Sequence, residues 1–204
     1  MAILKADILA FVNEALEAAY SGTDLDVAIQ LALDDLAAMH VLKDEDTSQS
    51  ATLATYSLDY PTDALGTEQA IISVVLTSSA GVRGAPLRHL PGGWRAYNEL
   101  MEAFSASSGS VPAYKVCHDR KIWLYPAPDG TYTADIWYYK NAQAVALDIE
   151  FDDEWGKAVK YGSAYFKALL QNSVNLLNLW RPLYMEEREA CRLRIPRDVM
   201  LENS

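Results

Sequence analysis

The stretch KIWLYPAPDGTYTADIWYYK, Lys121–Lys140, decides the fold because two apolar segments flank one short turn. In PAPDG, proline fixes φ, aspartate caps its own backbone and glycine accepts a positive φ, so this segment is predicted to turn. Successive side chains of a strand point to opposite faces. Ile122 and Leu124 therefore share one face, and Trp123 and Tyr125 share the other.

The segment after the turn alternates in the same way. One face carries Tyr132, Ala134, Ile136 and Tyr138, and the other carries Thr131, Thr133, Asp135, Trp137 and Tyr139. Both faces are largely apolar, so we expect one hairpin that is covered on both sides, by its own core and by another element or subunit. The candidate contact residues of this hairpin are Trp123, Tyr125, Trp137 and Tyr139.

The middle third of the chain is predicted to be mainly β-structure. Its β-branched and aromatic segments are separated by Gly, Pro, Asp and Ser. The predicted strands are Ala51–Leu58, Ala70–Leu76, Pro86–Leu90, Pro112–His118, Lys121–Tyr125 and Thr131–Lys140. WRAYNELMEAF, residues 94–104, is predicted to be a short helix, and KDEDTSQSAT, residues 43–52, a polar connector.

Helical periodicity marks both ends of the chain. Residues 3–20 and a second segment that ends near Met39 are predicted to form a helical hairpin. Thr23 and Asp26 have the spacing of a capping box. The apolar stripe of the first helix consists of Ile8, Phe11, Val12, Ala15, Leu16 and Ala19, and that of the second consists of Leu25, Ala28, Ile29, Ala32, Leu33 and Leu36.

A second helical pair is predicted near the C-terminus. DDEWGKAVKYGSAYFKALLQN begins at Asp152 with acids in its first turn, which the helix dipole favours. The next helical region, 174–194, contains Pro182, which either kinks the helix or begins a new one. One face of the first helix is predicted to carry Trp155, Val159, Phe166, Leu169 and Leu170.

These patterns predict an α+β protein with an inserted β domain. The N- and C-terminal helix pairs, residues 1–47 and 145–194, are expected to form one antiparallel helical bundle. Residues 48–144 are expected to form a mostly antiparallel β domain, and residues 195–204 an extended docking tail.

Charge is unevenly distributed along the chain. The net charge is −11, and residues 1–70 carry 13 acids against only Lys5 and Lys43. Because sequence-independent binding to nucleic acid needs a basic face, the chain as a whole does not fit that class. The C-terminal region is an exception, since every base after Lys167 is an arginine, a residue suited to interfaces.

The sequence predicts no catalytic, cofactor or metal site. Cys117 and His118 are adjacent on a predicted strand, so their side chains point to opposite faces and cannot form a direct dyad. DEDTSQS resembles the start of a calcium loop, but Gln49 and Thr55 stand where glycine and glutamate are required. Cys117 and Cys191 are expected to be free thiols, although a bridge between them is not excluded.

Three segments together resemble the head-to-tail adaptor (head-completion, connector) proteins of tailed phages, most like those of podovirus-type particles. The first is the helical pair ADILAFVNEALEA and DLDVAIQLALDDLA. The second contains Pro112-Ala113-Tyr114, the turn Leu124–Asp129, and the Tyr-rich strand Asp135–Tyr139. The third is the acid-Trp helix FDDEWGKAVKYGSAYFKALLQN. The resemblance spans residues 3–194, and the order of the segments carries it.

The resemblance implies a structural virion protein without enzymatic activity. Typically twelve copies form a homo-oligomeric ring under the portal, bind the tail or nozzle protein, and extend a channel through which DNA passes without specific binding. It implies a location at the head–tail interface after synthesis in the host cytoplasm, and no membrane. The implied portal or subunit contacts are Arg181, Arg188, Arg192, Arg194, Ile195, Arg197, Val199, Met200 and Leu201.

Two alternatives make different structural predictions. A virion-associated glycan-cleaving enzyme requires two carboxylates that face each other in a cleft, roughly 5–10 Å apart. A carbohydrate-binding module requires Trp123, Trp137 or Tyr139 to be coplanar, exposed and in one line.

Overall fold

The computed structural model describes residues 2–53, 55–103, 109–145 and 148–194, and these residues form an α+β protein. The contacts divide the chain into two compact units. One unit, here the helical unit, contains the two chain ends, up to Leu42 and from Asn141. The other, the β unit, is Lys43–Lys140.

The described residues form the following helices and strands. The helices are α1 (Lys5–Ala15), α2 (Gly22–Ala37), α3 (Gly93–Ala103), α4 (Gly156–Leu170) and α5 (Val174–Arg194). The strands are β1 (Ala2–Leu4), β2 (Lys43–Ala51), β3 (Ser57–Asp59), β4 (Ile71–Ser78), β5 (Arg83–Pro86), β6 (Arg88–His89), β7 (Tyr114–His118), β8 (Lys121–Tyr125), β9 (Tyr132–Tyr139) and β10 (Asp148–Asp152).

Helix α4 is the centre of the helical unit, since it packs against α1, α2 and α5. The stripe predicted for α2 is confirmed, because all six of its residues are buried. Strands β1 and β10, which periodicity did not predict, pair in antiparallel orientation beside the helices. The antiparallel order of the four helices stays a prediction.

The capping box of α2 lies two residues earlier than predicted. Ser21, not Thr23, is the N-cap: the backbone N–H of Asp24 donates to Ser21 Oγ at 3.3 Å, and the N–H of Ser21 donates to Asp24 Oδ2 at 2.9 Å. SGTDLD contains both pairs at the required spacing. Asp26 instead forms an ion pair with Lys5 at 2.5 Å.

Helix α1 ends before the predicted boundary at residue 20. Glu17 has a left-handed φ of 50°, which a helix cannot continue through. Beyond it, the Asn13 side chain accepts from the Tyr20 N–H at 2.8 Å and donates to the Tyr20 carbonyl at 3.2 Å. The apolar stripe therefore loses its last predicted member, since Ala19 is exposed.

The β unit consists of two four-stranded sheets. Their strand orders are β2-β9-β4-β5 and β3-β8-β7-β6, and all pairs are antiparallel except β6 with β7. Inward side chains of both sheets share one apolar core, in which Ile122 and Leu124 of β8 meet Ala134 and Ile136 of β9. The two sheets thus pack face to face.

The predicted hairpin of residues 121–140 is wrong, although both strands exist. Strand β8 pairs with β7 and β3, whereas β9 pairs with β2 and β4 in the other sheet. The turn between them crosses from one sheet to the other. Pro126 and Pro128 lack N–H donors, so the backbone there has fewer groups to extend a ladder between the two strands.

The predicted polar connector is also wrong, because its residues form edge strand β2. Strand β2 pairs with β9 from Lys43–Tyr139 to Ala51–Tyr132. The strand was not predicted because its composition is polar. An edge strand is paired on one side only, and natural edge strands commonly carry charge. Two other predicted strands are divided: β2 ends at Ala51 before β3 begins, and Pro86–Leu90 is split between β5 and β6.

The C-terminal helices differ from prediction in two details. Helix α5 runs through Pro182 as one helix, and the proline lies on its exposed face, so no new helix begins there. Trp155, just before α4, and Val159 on α4 lie in the core, but Leu169 and Leu170 are exposed. The predicted tail, residues 195–204, lies outside the described residues.

Candidate interaction surfaces

Trp123 lies in an aromatic cluster between sheet β3-β8-β7-β6 and helix α3. Its ring lies 5.3 Å from that of Trp94 and 5.8 Å from that of Tyr97, and Trp94 stacks on Tyr97 at 5.3 Å. Tyr125 packs against the same cluster. Both predicted contact residues are therefore half-buried by their own chain, through a helix that covers the outer face of this sheet.

Trp137 and Tyr139 differ in exposure although both lie on β9. Trp137 is 41% exposed, whereas Tyr139 is 2% exposed and has the Lys43 ammonium 5.8 Å from its ring centre. Trp123 belongs to the other sheet. These three rings do not form the exposed line that a carbohydrate-binding module requires. Of the four aromatic residues, Trp137 presents the most exposed surface for a partner.

Cys117 and His118 point to opposite faces of β7, as their adjacency predicted. Cys117 is buried in the core between the sheets, where burial raises the pKa of its thiol. His118 stacks on Trp94 at 4.4 Å on the other face. A direct dyad is therefore impossible here. Both cysteines are free thiols and both are buried.

The calcium-like segment is part of strand β2. Asp46 Oδ1 accepts from the N–H and the hydroxyl of Ser48, at 2.8 and 2.6 Å, and Oδ2 accepts from Gln49. These bonds shape the irregular register of β2 between Asp46 and Gln49. Across the described ranges, no cluster of three or more His, Cys, Asp or Glu residues could hold a metal ion.

Arg188, one of the predicted contact residues, ties α5 to α2. Its guanidinium contacts the Asp35 carboxylate at 2.6 Å, and Tyr184 donates to the same carboxylate at 2.5 Å. The carboxylate raises the pKa of Arg188, and burial, followed by Asp35, raises that of Tyr184. Sequence reasoning missed this network because Asp35 lies 153 positions from Arg188.

The outer face of α5 carries the remaining predicted arginines that can be described. Arg181 is exposed, and Arg192 is 53% exposed beside Glu189 at 2.9 Å. The same helix exposes Leu179, Met185 and Leu193, the last at 74%. Arg194 ends the helix. The other predicted contacts, Ile195, Arg197, Val199, Met200 and Leu201, lie outside the described residues.

The acids of α1 and α2 divide into paired and exposed groups. Asp26 pairs with Lys5 and Asp35 with Arg188. The exposed acids in and beside these helices are Asp7, Glu14, Glu17, Asp24 and Asp34. The negative charge that the sequence placed in the first third thus lies largely on surface.

Two grooves lie beside the edge strands of the β unit. One, of about 660 Å³, runs between β5 and the segment before β7 and is lined by Val82, Pro86, Val111 and Pro112, among others. The other, of about 600 Å³, lies beside β2 and is lined by Glu45, Asp46, Asp59 and Asp63. The first is mainly apolar and the second is acidic.

Comparison with known proteins gives one family. The family model described as SU10 adaptor protein matches residues 2–192. A search of curated proteins found no match. Among the helices of the described residues, none combines the length and apolar character needed to cross a membrane.

Proposed function

Because this chain belongs to the SU10 adaptor protein family, whose members are phage head-to-tail adaptors, we propose that it works as a ring between portal and tail. Membership indicates a structural component of the virion that interacts with portal and tail proteins. Our proposal is more specific: about twelve copies close a ring that extends the DNA channel and receives the tail or nozzle protein.

The single observation that carries this proposal is the extent of the family match. It covers residues 2–192 of 204, so it contains the whole β unit and, of the described helical unit, all but the last two residues of α5. A match to one unit alone would describe a shared module. The match to the full order of elements supports a shared role.

The acidic helical surface supports the channel part of the proposal. The five exposed acids in and beside α1 and α2 repel phosphate if they face the passing DNA. At −11 per copy, a ring of about twelve carries about −130 before any neutralisation. A wall of this charge lets DNA slide without adhering to it.

The C-terminal region supports docking on the portal. Helix α5 presents Arg181 and Arg192 together with Leu179, Met185 and Leu193 on its exposed side. Arginine forms bidentate contacts with carboxylates, and exposed aliphatic side chains supply apolar area. We propose that this face and residues 195–204 contact the portal. This function needs docking surfaces only, so we assign neither a catalytic group nor a cofactor to the chain. As for other virion components, we propose that the chain is made in the host cytoplasm.

Reconstitution on phage heads tests the proposal. DNA-filled heads that carry the portal but lack this protein are incubated with the purified chain, and the copies bound per head are counted by quantitative mass spectrometry. We expect a fixed number of copies at the portal vertex and restored tail attachment. Heads that bind no copies, or that attach tails equally well without the chain, would contradict it.

A further inference from the structure

The β unit has two lateral sides, each built from one edge strand of each sheet. On one side, the Gln49 amide of β2 donates to the Asp59 carbonyl of β3 and accepts from the Asp59 N–H, both at 2.8 Å. On the other side, only Leu87 separates β5 from β6. Each lateral side therefore belongs to both sheets at once.

The two sides carry opposite charge. Residues 44–68 contain six acids and no Lys or Arg, whereas residues 69–98 contain three arginines and no acid. The acidic edge, defined by Glu45, Asp46 and Asp59, keeps the Asp59 side chain 80% exposed even though the Lys121 ammonium lies 3.7 Å away. The basic edge, defined by Arg83 and Arg88, keeps Arg83 62% exposed even though Asp135 lies 3.3 Å away.

Apolar surface is complementary between the same two sides. The basic edge holds the groove of about 660 Å³, where Val82 is 68% and Val111 is 59% exposed. The acidic edge presents Leu53, 46% exposed, at the corner where the chain passes from β2 to β3. The Thr52 and Thr55 backbones bond to each other in both directions at 3.0 Å and fix this corner.

These features also lie at matching levels along the strands. Tyr132 pairs with both Ala51 and Ser78, so the Leu53 corner and the Val82 turn lie at the same end of the sheet. Farther along, Ile136 pairs with both Asp46 and Val74, and the Val74 carbonyl accepts from the Leu87 N–H at 2.9 Å. The residue after Leu87 is Arg88.

Asp46 and Arg88 are therefore nearly level on opposite edges. A second copy can therefore be placed beside the first by a shift across the strands, with no shift along them. In that position the acids of one copy meet the arginines of the other, and Leu53 of the same acidic edge meets the groove. Copies that meet by like edges gain neither contact, because acid then faces acid or arginine faces arginine.

We propose that the acidic edge of one copy docks on the basic edge of the next, with Leu53 entering the groove lined by Val82, Pro86, Val111 and Pro112. The contact joins two different surfaces, so it repeats from copy to copy and closes a ring when the rotation per copy divides a full turn. This inference rests on the proposed function for the ring, and it identifies which surfaces build it.

Charge reversal tests the pairing. The acidic-edge variant carries Glu45→Lys and Asp59→Lys, and the basic-edge variant carries Arg83→Glu and Arg88→Glu. Arg95→Glu is the matched control, since this arginine of α3 is 90% exposed and pairs with Glu99 on its own helix. Copies per head are counted as above, and sedimentation of the free chains at about 0.05 M salt, where surface charge is weakly screened, reports the contact without a portal.

We expect about tenfold fewer copies bound per head for either reversed variant alone than for wild type, and as many copies for the control as for wild type. An equal mixture of the two variants should recover both binding and self-association, because every contact between unlike variants again joins acid to base. Leu53→Asp should weaken both readouts. Circular dichroism confirms that each variant is folded.

Two results would overturn the inference: folded reversed variants that assemble like wild type, or a mixture that assembles no better than its components. The readouts also separate it from the proposed function. Chains that associate in solution with the predicted charge dependence but do not bind to heads would contradict the adaptor role and support the edge contact. Wild-type chains that associate neither in solution nor on heads would contradict both.

Discussion

At the scale of single residues, Asp35 has the largest structural role that the sequence conceals. It lies on α2 beside the exposed Asp34, yet its carboxylate receives both the Arg188 guanidinium and the Tyr184 hydroxyl. The buried Tyr184 and the half-buried Arg188 of α5 thus depend on one side chain of α2. A buried or half-buried polar group that loses its partner keeps the cost of desolvation.

Replacing Asp35 by asparagine should therefore destabilise the protein by about 1–3 kcal/mol, since Arg188 then remains half-buried without its counter-ion. Urea unfolding followed by circular dichroism measures the change. Asp34→Asn is the control, because Asp34 is exposed and its carboxylate accepts from Gln30 of the same helix, at 2.8 Å. Equal losses in both variants would show that Arg188 does not depend on Asp35.

His40 makes stability depend on pH. It follows α2 with a left-handed φ of 62°, and burial lowers its pKa from the usual 6.5. Near pH 7 the imidazole is mostly neutral in both states. As the pH falls below about 6.5, the unfolded chain takes up a proton that the folded chain resists, so stability decreases.

His40→Asn should lessen this decrease, since asparagine tolerates the left-handed backbone and does not titrate. The free energy of unfolding at pH 7 and at pH 5.5 measures the effect in both proteins. If the two lose equal stability between these pH values, then His40 is not the responsible group.

At the scale of elements, the packing of α4 depends on a glycine. Gly162 lies in the middle of α4, and a Cβ built on it would lie 2.9 Å from Ala32 Cβ of α2 and 2.9 Å from Tyr184 Cε2 of α5. Real Cβ atoms are not found so close to such neighbours. The absence of a side chain lets three helices approach one another at this point.

Gly162→Ala should thus destabilise the helical unit by about 1–3 kcal/mol, although alanine is the better helix former. Gly156→Ala in the first turn of α4 is the matched control, since its Cβ would meet nothing closer than 3.6 Å. That control should be neutral or stabilising by up to about 1 kcal/mol. Thermal unfolding compares them, and a Gly162→Ala protein as stable as the control would contradict this account.

At the scale of the whole molecule, the C-terminal segment is expected to act in assembly and not in folding. Within the described residues, Cys191 is the last buried member of the apolar core of the helical unit. Deleting residues 195–204 should leave the thermal midpoint within a few degrees of wild type. The truncated chain should no longer bind to portal-bearing heads.

Copies bound per head, counted by mass spectrometry, measure the effect of this deletion. If the truncated chain binds to heads in the same number of copies as wild type, then residues 195–204 are not needed for docking. The helix face of Arg181 and Arg192 would then be the next surface to substitute.

Local sequence determined much of this protein by itself. Periodicities of 3.6 and 2 gave the helices, most strands and the inward faces of Ile122, Leu124, Ala134 and Ile136, because these patterns depend only on neighbours a few positions apart. The order of helical and β segments also carried the resemblance to phage adaptors, which the family match confirms.

Strand pairing and surface complementarity were decided only by the tertiary structure. Strand β8 pairs with β7 across the two-residue turn Asp119–Arg120, whose left-handed φ values the residue types do not announce. Strand β9 instead pairs with the distant β2 and β4, which only the folded chain brings beside it. Strand β2 was missed because one side of an edge strand is open, so its charges cost little there. The Asp35–Arg188 pair and the opposed edges exist only once the chain has brought distant residues together.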